Sequence, residues 1–459
     1  MRKSLFKPVT FKKGGIHPLE NKHLSAHKAI VELPLPDQLS INLSQHLGKK
    51  AKAIVEKKQV VCIGDVIAEA DGPFSALIHA PASGTIKRIE EKLSAQGIME
   101  TTIVIEVNKE KTGIDRSKFE TLNEIDLSSF SREELIKKIQ QNGIVGQGGA
   151  AFPTHMKLSP PLDKQIDVLI INGAECEPYL TADHQLMLEK SMEIIKGTLV
   201  LAKILGVEHT FIGIEQNKFD AIDLFTKILN DQNITHIQVI PLITKYPQGG
   251  EKQLINAITG RDIPSGQLPF DIGVVVHNVG TAFSIYEALY YNKPVMDRVT
   301  TITGFVKNPG NFRIKIGTSF QHAIDTGAQG FLDEERVRSV INGGPMMGQS
   351  VRQLDVTVMK GTGGIVALAD AEITYQDEGP CIRCSRCIDV CPINLMPLQL
   401  ADDTIMNNGK LLRDALDCIE CGNCSYICPT NRKLVHWIKI GKKVYRTWKV
   451  QEEKFNKNI

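Results

Sequence analysis

The chain has 459 residues, 42% of them apolar, and a formal net charge of +2, which indicates several domains with ordinary cores and gives no sign of a nucleic-acid-binding surface. No stretch approaches 18 uninterrupted apolar residues, so we expect no direct membrane span. The basic N-terminus lacks the apolar segment of a signal peptide, and eight of the ten cysteines lie between Cys381 and Cys428. These features predict a protein of a reducing compartment, and if it works at a membrane we expect it to do so by docking on a partner.

The first third of the chain is predicted to hold an arm, a small β module and a linker. Residues 1–29 contain turn formers and little periodicity, which indicates an irregular N-terminal arm. Residues 30–110 contain short apolar runs broken by Gly, Asp and Pro, a pattern typical of a small barrel or sandwich. The polar residues 111–130 are a plausible linker.

From residue 131 to 297 the pattern changes to strands that alternate with helices. Ser131 is a capping residue for a first helix, and one long helix is predicted from His184 to about Leu205. This alternation indicates a Rossmann-like α/β domain with a parallel sheet. Ligands in such sheets bind beyond the carboxyl ends of the strands. The loops that leave predicted strand ends here are 172–178, 213–217 and 277–281.

The last third returns to short elements. Residues 298–372 alternate short strands and turns, which predicts a small β-rich module. Residues 373–440 hold the cysteines and are predicted to form short helices and loops. The segment 441–459 is basic and polar, and we expect a loosely ordered tail.

Two matching cysteine runs, which begin at Cys381 and Cys418, are the most specific motif in the chain. Each has the spacing C-x2-C-x2-C-x3-C-P of bacterial two-cluster ferredoxins, in which the fourth thiolate usually ligates the other cluster. We therefore assign the first [4Fe–4S] centre to Cys381, Cys384, Cys387 and Cys428. The second is assigned to Cys418, Cys421, Cys424 and Cys391. Structural zinc, with four ligands, and disulfides, which need an oxidising compartment, are the alternatives that this repeated spacing disfavours.

A glycine-rich loop at residues 146–154 is the second motif. Glycines allow backbone N–H groups to approach an anion closely, and Lys157 can supply a point charge. The loop matches neither the Walker spacing nor G-x-G-x-x-G, so a plain glycine-rich turn is the alternative. The candidate cofactor-binding residues of this loop and of the nearby strand ends are Gly146, Gly148, Gly149, Ala150, Phe152, Lys157, Asn172, Tyr246, Gly249, Asn278 and Thr281.

Two acidic residues follow the predicted strand that ends near Asn172. Glu175 and Glu177 can accept hydrogen bonds from sugar hydroxyls, a flavin edge or a carboxamide. The alternative is that both simply face water, as most acidic side chains do.

These motifs resemble those of two related families. Residues 146–157, 172–183 and 246–251 resemble the FMN and NADH loops of the NADH-oxidising flavoprotein subunit of respiratory complex I, although Ala174 and Gly250 replace acids of that protein. The whole chain, with its opening FKKGGIHPLENK, is more similar to the C subunits of the Rnf (Rsx) electron transport complex.

The resemblance implies a multidomain α+β and α/β architecture. The small β module at 30–110 would be a barrel-sandwich module of lipoyl type, without a lipoyl lysine between Val61 and Ile86. Residues 131–297 would be the FMN- and NADH-binding α/β domain. Residues 298–372 would be a β-grasp SLBB module, and 373–440 a helical two-cluster ferredoxin-like domain.

The resemblance also implies the function of a subunit of an ion-translocating ferredoxin:NAD oxidoreductase, with NAD(H) as substrate. Non-covalent FMN would exchange a hydride, and two [4Fe–4S] clusters would carry single electrons, because a flavin can exchange either one or two. Glu175 and Glu177 would be catalytic residues near the nicotinamide. The coupled ion would be Na⁺ or H⁺, and its path cannot lie in a chain without a membrane span.

Implied partners are membrane subunits of the same complex and ferredoxin or another iron–sulfur subunit, with no nucleic acid. The implied location is peripheral, on the cytoplasmic face of the bacterial inner membrane. Two alternatives stay open: a flavoprotein similar to cobalamin reductase, which the N-terminal arm disfavours, and a flavin-free iron–sulfur adaptor, which Ala174 and Gly250 favour.

Overall fold

The computed structural model describes residues 7–111, 125–161, 163–373 and 377–457. None of the helices in these ranges is both long enough and apolar enough to cross a membrane. Most of the linker predicted at 111–130 lies outside the described residues, and its described end contains a short 3₁₀ turn at Leu127–Ser129. The arm is irregular, as predicted, apart from a 3₁₀ turn at Lys22–Leu24.

The N-terminal module consists of short strands in two antiparallel sheets. The strands of these two sheets are β2 (Gln38–Asn42), β3 (Lys52–Ala53), β4 (Val60–Val61), β5 (Val66–Glu69), β6 (Ile78–His79), β7 (Gly84–Leu93) and β8 (Met99–Val107), and a further strand, β1 (Val31–Glu32), lies outside both sheets. The orders are β2-β8-β7-β4 and β3-β5-β6. Alternating apolar residues such as Leu39, Ile41, Ile103 and Ile105 are fully buried between the two sheets, which gives the module its core.

The α/β domain has a parallel sheet of order β11-β10-β9-β12. Its elements are α1 (Arg132–Gln141), α2 (Thr154–Lys157), β9 (Val168–Gly173), α3 (Ala182–Glu189), α4 (Ser191–Leu205), β10 (His209–Glu215), α5 (Phe219–Asp231), β11 (Ile237–Leu242), α6 (Glu251–Thr259), β12 (Val274–Asn278) and α7 (Val279–Tyr291). Ser131 forms a capping box with Glu134 at the start of α1, as its sequence position predicts. The carboxyl ends of β9 and β12 lie side by side, with Asn172 opposite Asn278.

The prediction of one long helix from His184 to Leu205 is wrong, because the chain leaves the helical conformation at Lys190 (φ −130°, ψ 31°). Helix α4, which follows the break, packs closely on α7. At the contact, a Cβ on Gly197 would overlap the carbonyl oxygen of Ala282, so only glycine allows this approach.

The third module is a mixed sheet of order β1-β14-β13-β17-β15-β16, in which β1 comes from the N-terminal module. Its own elements are β13 (Asp297–Gly304), β14 (Gly310–Lys315), α8 (Phe320–His322), β15 (Val337–Asn342), β16 (Gln349–Ser350) and β17 (Gly364–Ala369). Strand sharing between modules fixes their relative position through backbone hydrogen bonds.

The cysteine segment consists of short helices and loops followed by one long helix. Its helices are α9 (Arg386–Asp389), α10 (Pro397–Ile405), a 3₁₀ segment at Gly409–Asp417, α11 (Asn423–Tyr426) and α12 (Leu434–Lys457). The prediction of a loose tail from residue 441 is therefore wrong. Val444 and Tyr445 pack against the core around Leu412, and Trp448 lies against Gly409, so the tail is held as a helix by its apolar face.

Candidate functional site

The glycine-rich loop lies between the carboxyl end of β12 and the third module. Gly148, Gly149 and Ala150 are exposed. The loop is held at its base, where the N–H of Gly146 donates to the carbonyl oxygen of Phe152 at 2.8 Å. Gly149 has φ +123°, and no heavy atom of the described residues lies within 4 Å of the position that its Cβ would take. The loop therefore presents bare backbone to an open space.

Asn278 and Thr281 connect this loop to the sheet. The N–H of Gln147 donates to Thr281 Oγ1 at 2.9 Å, and Asn278 Oδ1 caps α7 by accepting from the N–H of Gly280 at 2.8 Å. A Cβ on Gly148 would lie 3.3 Å from the Cβ of Asn278. A side chain at position 148 would consequently push the loop away from the sheet.

Lys157 lies at the same edge of the sheet. Its Nζ donates to Glu251 Oε1 at 2.6 Å and to the carbonyl oxygen of Val276 at 3.1 Å. Its side chain is 32% exposed, so it is partly accessible to solvent. An anion bound to the Lys157 ammonium would have to displace the Glu251 carboxylate or share the ammonium with it.

Asn172 brings the second and third predicted loops together. Its Nδ2 donates to the carbonyl oxygen of Gly249 at 2.8 Å, and its Oδ1 accepts from the N–H of Ala174 at 3.1 Å. The N–H of Gly249 points at Cys176 Sγ at 3.3 Å. Tyr246 is only 2% exposed. Asn172 and Gly249 are thus directly bonded, with the buried Tyr246 three residues before Gly249, and their role in binding a cofactor stays a prediction.

The two acidic residues are both engaged by backbone N–H groups. Glu175 accepts from the N–H groups of Asp183, at 2.7 Å, and His184, at 3.2 Å. Glu177 accepts from Met346 at 3.0 Å and Met347 at 2.7 Å. Neither carboxylate simply faces water, and both stabilise the local chain path. Their role near a nicotinamide stays a prediction.

Sequence analysis missed Arg298, a buried cation behind the glycine loop. Its Nη2 donates to the carbonyl oxygen of Gln147 at 2.5 Å and its Nη1 to that of Lys360 at 3.2 Å. Lys360 is fully buried and donates from Nζ to the carbonyl oxygen of Gly143 at 2.6 Å. Nothing in the strand pattern around Arg298 distinguishes it, because its contacts are with residues distant in the sequence.

Lys22, also missed, organises the loop after β9. Its Nζ donates to the carbonyl oxygens of Glu175, Glu177 and Leu180 at 2.8, 2.9 and 2.5 Å. Lys22 is the last residue of the arm motif FKKGGIHPLENK, so this motif is the sequence feature that could have indicated its importance.

These residues fit a phosphate-bearing planar cofactor such as FMN. The exposed backbone at Gly149 borders open space, Lys157 supplies a cation at its edge, and Asn172 and Asn278 stand at neighbouring strand ends. A helix-and-sheet edge with fixed donors of this kind is where α/β domains bind phosphate groups.

The first cysteine set surrounds a cavity of about 360 Å³, a volume that includes the open solvent at its mouth. Cysteines from both runs line this cavity. They are the first three cysteines of the first run, Cys381, Cys384 and Cys387, and the last cysteine of the second run, Cys428. Cys381 and Cys384 are exposed. The structure therefore brings together the four residues that the crossed assignment predicts.

The second set is more deeply enclosed. Cys391, Cys421 and Cys424 are buried, and Cys391 interacts electrostatically with Cys418, Cys421 and Cys424. The N–H of Glu420 points at Cys418 Sγ at 3.3 Å, a contact that favours a thiolate. Among the described residues, no group of three or more His, Cys, Asp or Glu could hold a single metal ion. Four thiols in each set suit the larger iron–sulfur cluster.

Four family models match the chain in order. They describe an RnfC barrel sandwich hybrid domain (residues 9–110), a Nuo51 FMN-binding domain (139–287), an SLBB domain (299–350) and a 4Fe-4S dicluster domain (380–432). The module order and the fold class predicted from the sequence are thereby confirmed, as are FMN and iron–sulfur clusters as the cofactors.

Curated relatives match over most of the chain. The C subunit of the proton-translocating ferredoxin:NAD(+) oxidoreductase complex of Clostridium ljungdahlii is 44% identical, covering 93% of this chain and 92% of the relative. This chain belongs to the family of C subunits of ion-translocating ferredoxin:NAD(+) oxidoreductase complexes. The C subunit of the Na(+)-translocating complex of Acetobacterium woodii is also 44% identical, covering 94% and 96%, and that of the ion-translocating complex of Rhodobacter capsulatus is 40% identical, covering 84% and 74%.

Membership in this family confirms the resemblance predicted from the sequence, and the FMN-binding domain argues against the flavin-free adaptor. Among solved structures, a chain of an NAD+-reducing [NiFe]-hydrogenase is 15% identical with a TM-score of 0.49, covering 71% of this chain and 65% of that chain. The individual ligand and catalytic residues stay predictions.

Proposed function

We propose that this chain exchanges electrons between NAD(H) and the other subunits of an ion-translocating ferredoxin:NAD oxidoreductase complex. The observation that carries the proposal is that one chain combines an FMN-binding domain, which contains the glycine loop at Gly146–Ala150, with the two cysteine runs of a 4Fe-4S dicluster domain. FMN, when bound, supplies the exchange between a two-electron hydride donor and one-electron carriers.

The chain's own residues would bind and orient the flavin. The bare backbone at Gly148 and Gly149 would donate hydrogen bonds to the phosphate, and Lys157 would add a positive charge at the same edge. Asn172 and Asn278, which stand at adjacent strand ends, would contact the ring or ribityl chain. Arg298, from the third module, holds the loop in place from behind.

The thiolates of the two crossed cysteine sets would hold the [4Fe–4S] clusters. One set is buried beside the α/β domain, and the other includes exposed cysteines, an arrangement suited to passing electrons from an interior site to a surface. The partners at that surface would be iron–sulfur or membrane subunits of the same complex, and the chain would be peripheral on the cytoplasmic side of the membrane.

The decisive experiment is an anaerobic NADH titration of the reconstituted protein, followed by visible absorbance and EPR. Bleaching of a flavin band together with the appearance of reduced-cluster signals is the expected result. Clusters that dithionite reduces, in a protein that neither binds added FMN nor responds to NADH, would contradict it and favour the adaptor. The flavin-free outcome is worth testing because Ala174, which is fully buried, stands at the position where the complex I flavoprotein has an acid.

A further inference from the structure

The N-terminal arm, defined here as residues 7–29, passes between the α/β domain and the buried cysteine set. Ile16 and Tyr246 exchange two backbone hydrogen bonds, each of 2.9 Å from N to O. The adjacent N–H of Gly15 donates to the carbonyl oxygen of Val390 at 3.0 Å. The arm is therefore bonded to the flavin-binding domain and to the residue directly before Cys391.

Gly14 makes the tightest contact between the arm and the cysteine segment. It has φ +70°, and a Cβ there would lie 2.6 Å from both the carbonyl carbon and the carbonyl oxygen of Cys391. Those neighbours are backbone atoms, which cannot rotate away as the end of a flexible side chain can. Only glycine permits this conformation and this approach together. The separation between the arm and Cys391 is therefore set by the absence of a side chain at position 14.

An apolar cluster joins the same three parts of the chain. Ile16, Tyr246 and Cys421 are buried against one another, with exposed fractions of 6%, 2% and 7%. The partly buried residues packed around them are Cys176, Met346, Val390 and Ile419. Of the two cysteine sets, the one with Cys391 and Cys421 consequently faces the α/β domain.

The other end of the arm is anchored to the loop after β9. Lys22 donates to three carbonyl oxygens of residues 175–180, and burial lowers its pKa. In addition, the hydroxyl of Ser25 is 2.8 Å from that of Thr181. Arm, flavin loop and buried cysteine set are thus linked through a continuous series of contacts.

We propose that the N-terminal arm is a positioning element for electron transfer, which holds the cluster of Cys391, Cys418, Cys421 and Cys424 against the flavin-binding domain. That cluster is then the entry for electrons, and the cluster of Cys381, Cys384, Cys387 and Cys428 is the outlet. The inference rests on the proposed function. Oxidation of one NADH to NAD⁺ releases one proton and two electrons, and each cluster is reduced by one of them.

The test uses two arm variants of the full-length, reconstituted protein, each with a matched control. Gly14→Ala is compared with Gly330→Ala, because Gly330 has a similar φ of +84° but open space around its Cβ position. Ile16→Ala is compared with Leu19→Ala, because Leu19 is an apolar residue of the same arm that is 81% exposed.

Stopped-flow absorbance then follows flavin bleaching and cluster reduction separately after NADH is added. Both arm variants are expected to bleach the flavin at the wild-type rate and to reduce the clusters several-fold more slowly, because the rate of electron transfer falls steeply as the distance between flavin and cluster increases. Hydrogen exchange at the Gly15 and Tyr246 amides, faster in the variants, would show that the arm has been released. The controls should behave as wild type in every measurement.

Three outcomes would overturn the inference. The first is unchanged cluster reduction in Ile16→Ala despite faster amide exchange, a result that stands even if Gly14→Ala fails to fold. The second is an equal loss in an arm variant and its control. The third is a wild-type protein that binds no FMN, which would remove the proposed function and this inference together, whereas the first two leave the proposed function intact.

Discussion

The carboxylate of Glu177 accepts a hydrogen bond from the backbone N–H of Met347 at 2.7 Å, which joins the loop after β9 to the turn before β16. The contact is close, since a Cβ on Gly344 would lie 2.6 Å from the Cβ of Glu177. On the other side of the turn, the carbonyl oxygen of Met346 would be 3.1 Å from a Cβ on Gly422, in the second cysteine run. Glu177 therefore helps to hold the α/β domain, the third module and the cysteine segment together.

This position makes the stability of the protein depend on pH through Glu177. Burial raises the pKa of its carboxyl group from 4.5 to about 7, despite the N–H groups of Met346 and Met347, which favour the anion. A raised pKa means that the folded state binds the proton more tightly than the unfolded chain. The stabilisation is complete below about pH 4.5 and is lost as the pH rises through about 7.

We therefore expect the melting temperature of the wild type, relative to that of Glu177→Gln, to fall between about pH 5 and about pH 8. Thermal unfolding of the cofactor-free protein across this range is the measurement. Glu133→Gln, a change on the exposed face of α1, is the control and should give a constant difference. A pH-independent difference for Glu177→Gln as well would contradict the prediction.

Lys157→Ala should weaken FMN binding about tenfold or more, which corresponds to a loss of about 1.4 kcal/mol. The reason is that the Lys157 ammonium lies at the carboxyl edge of the sheet, where it donates to the carbonyl oxygen of Val276, and can supply a positive charge to a phosphate there. Quenching of flavin fluorescence measures the dissociation constant. Lys164→Ala is the matched control, because its side chain is 34% exposed, against 32% for Lys157, and also pairs with an acid. Equal affinities in the two variants would remove Lys157 from the site.

Cys428→Ala should remove one cluster and spare the other. Cys428 lines the same cavity as the first three cysteines of the other run, so the exposed centre should lose a ligand while the buried one keeps all four. Iron analysis should fall to half of the wild-type value, and Cys391→Ala should remove the other half. Cys62→Ala serves as control, because Cys62 lies outside both cysteine runs. Loss of the buried cluster in Cys428→Ala would mean that the fourth ligands do not cross.

Arg298→Met should destabilise the protein and loosen the flavin loop. Arg298 is buried and donates to the carbonyl oxygens of Gln147 and Lys360, so its removal leaves two buried acceptors without their donor. An unsatisfied buried acceptor typically costs about 1–3 kcal/mol. Chemical unfolding measures the loss, and FMN titration of the folded fraction should show weaker binding.

The control for Arg298→Met is Arg338→Met in the same module. The ion pair of Arg338 with Asp370 is exposed and should contribute at most about 1 kcal/mol. If both variants were destabilised equally, the buried contacts of Arg298 would have no special importance.

The sequence by itself determined the features that depend on local spacing. The cysteine runs, the capping box at Ser131 and the strands of the α/β domain follow from patterns of a few residues, because loop length, capping and strand periodicity are local properties. The glycine loop and its neighbours at Asn172 and Tyr246 could be predicted together, since parallel strands bring their carboxyl ends to one edge.

Only the tertiary structure decided the features that depend on contacts between distant residues. The tail is helical because Trp448 and its neighbours find an apolar surface around Gly409, and the predicted long helix is interrupted at Lys190, before the part of α4 that packs on α7. The contacts of Arg298 leave no trace in the residues around it, and the arm motif that contains Gly14 does not indicate which residues the arm contacts. Such contacts arise from the packing of whole modules and are therefore a property of the folded protein alone.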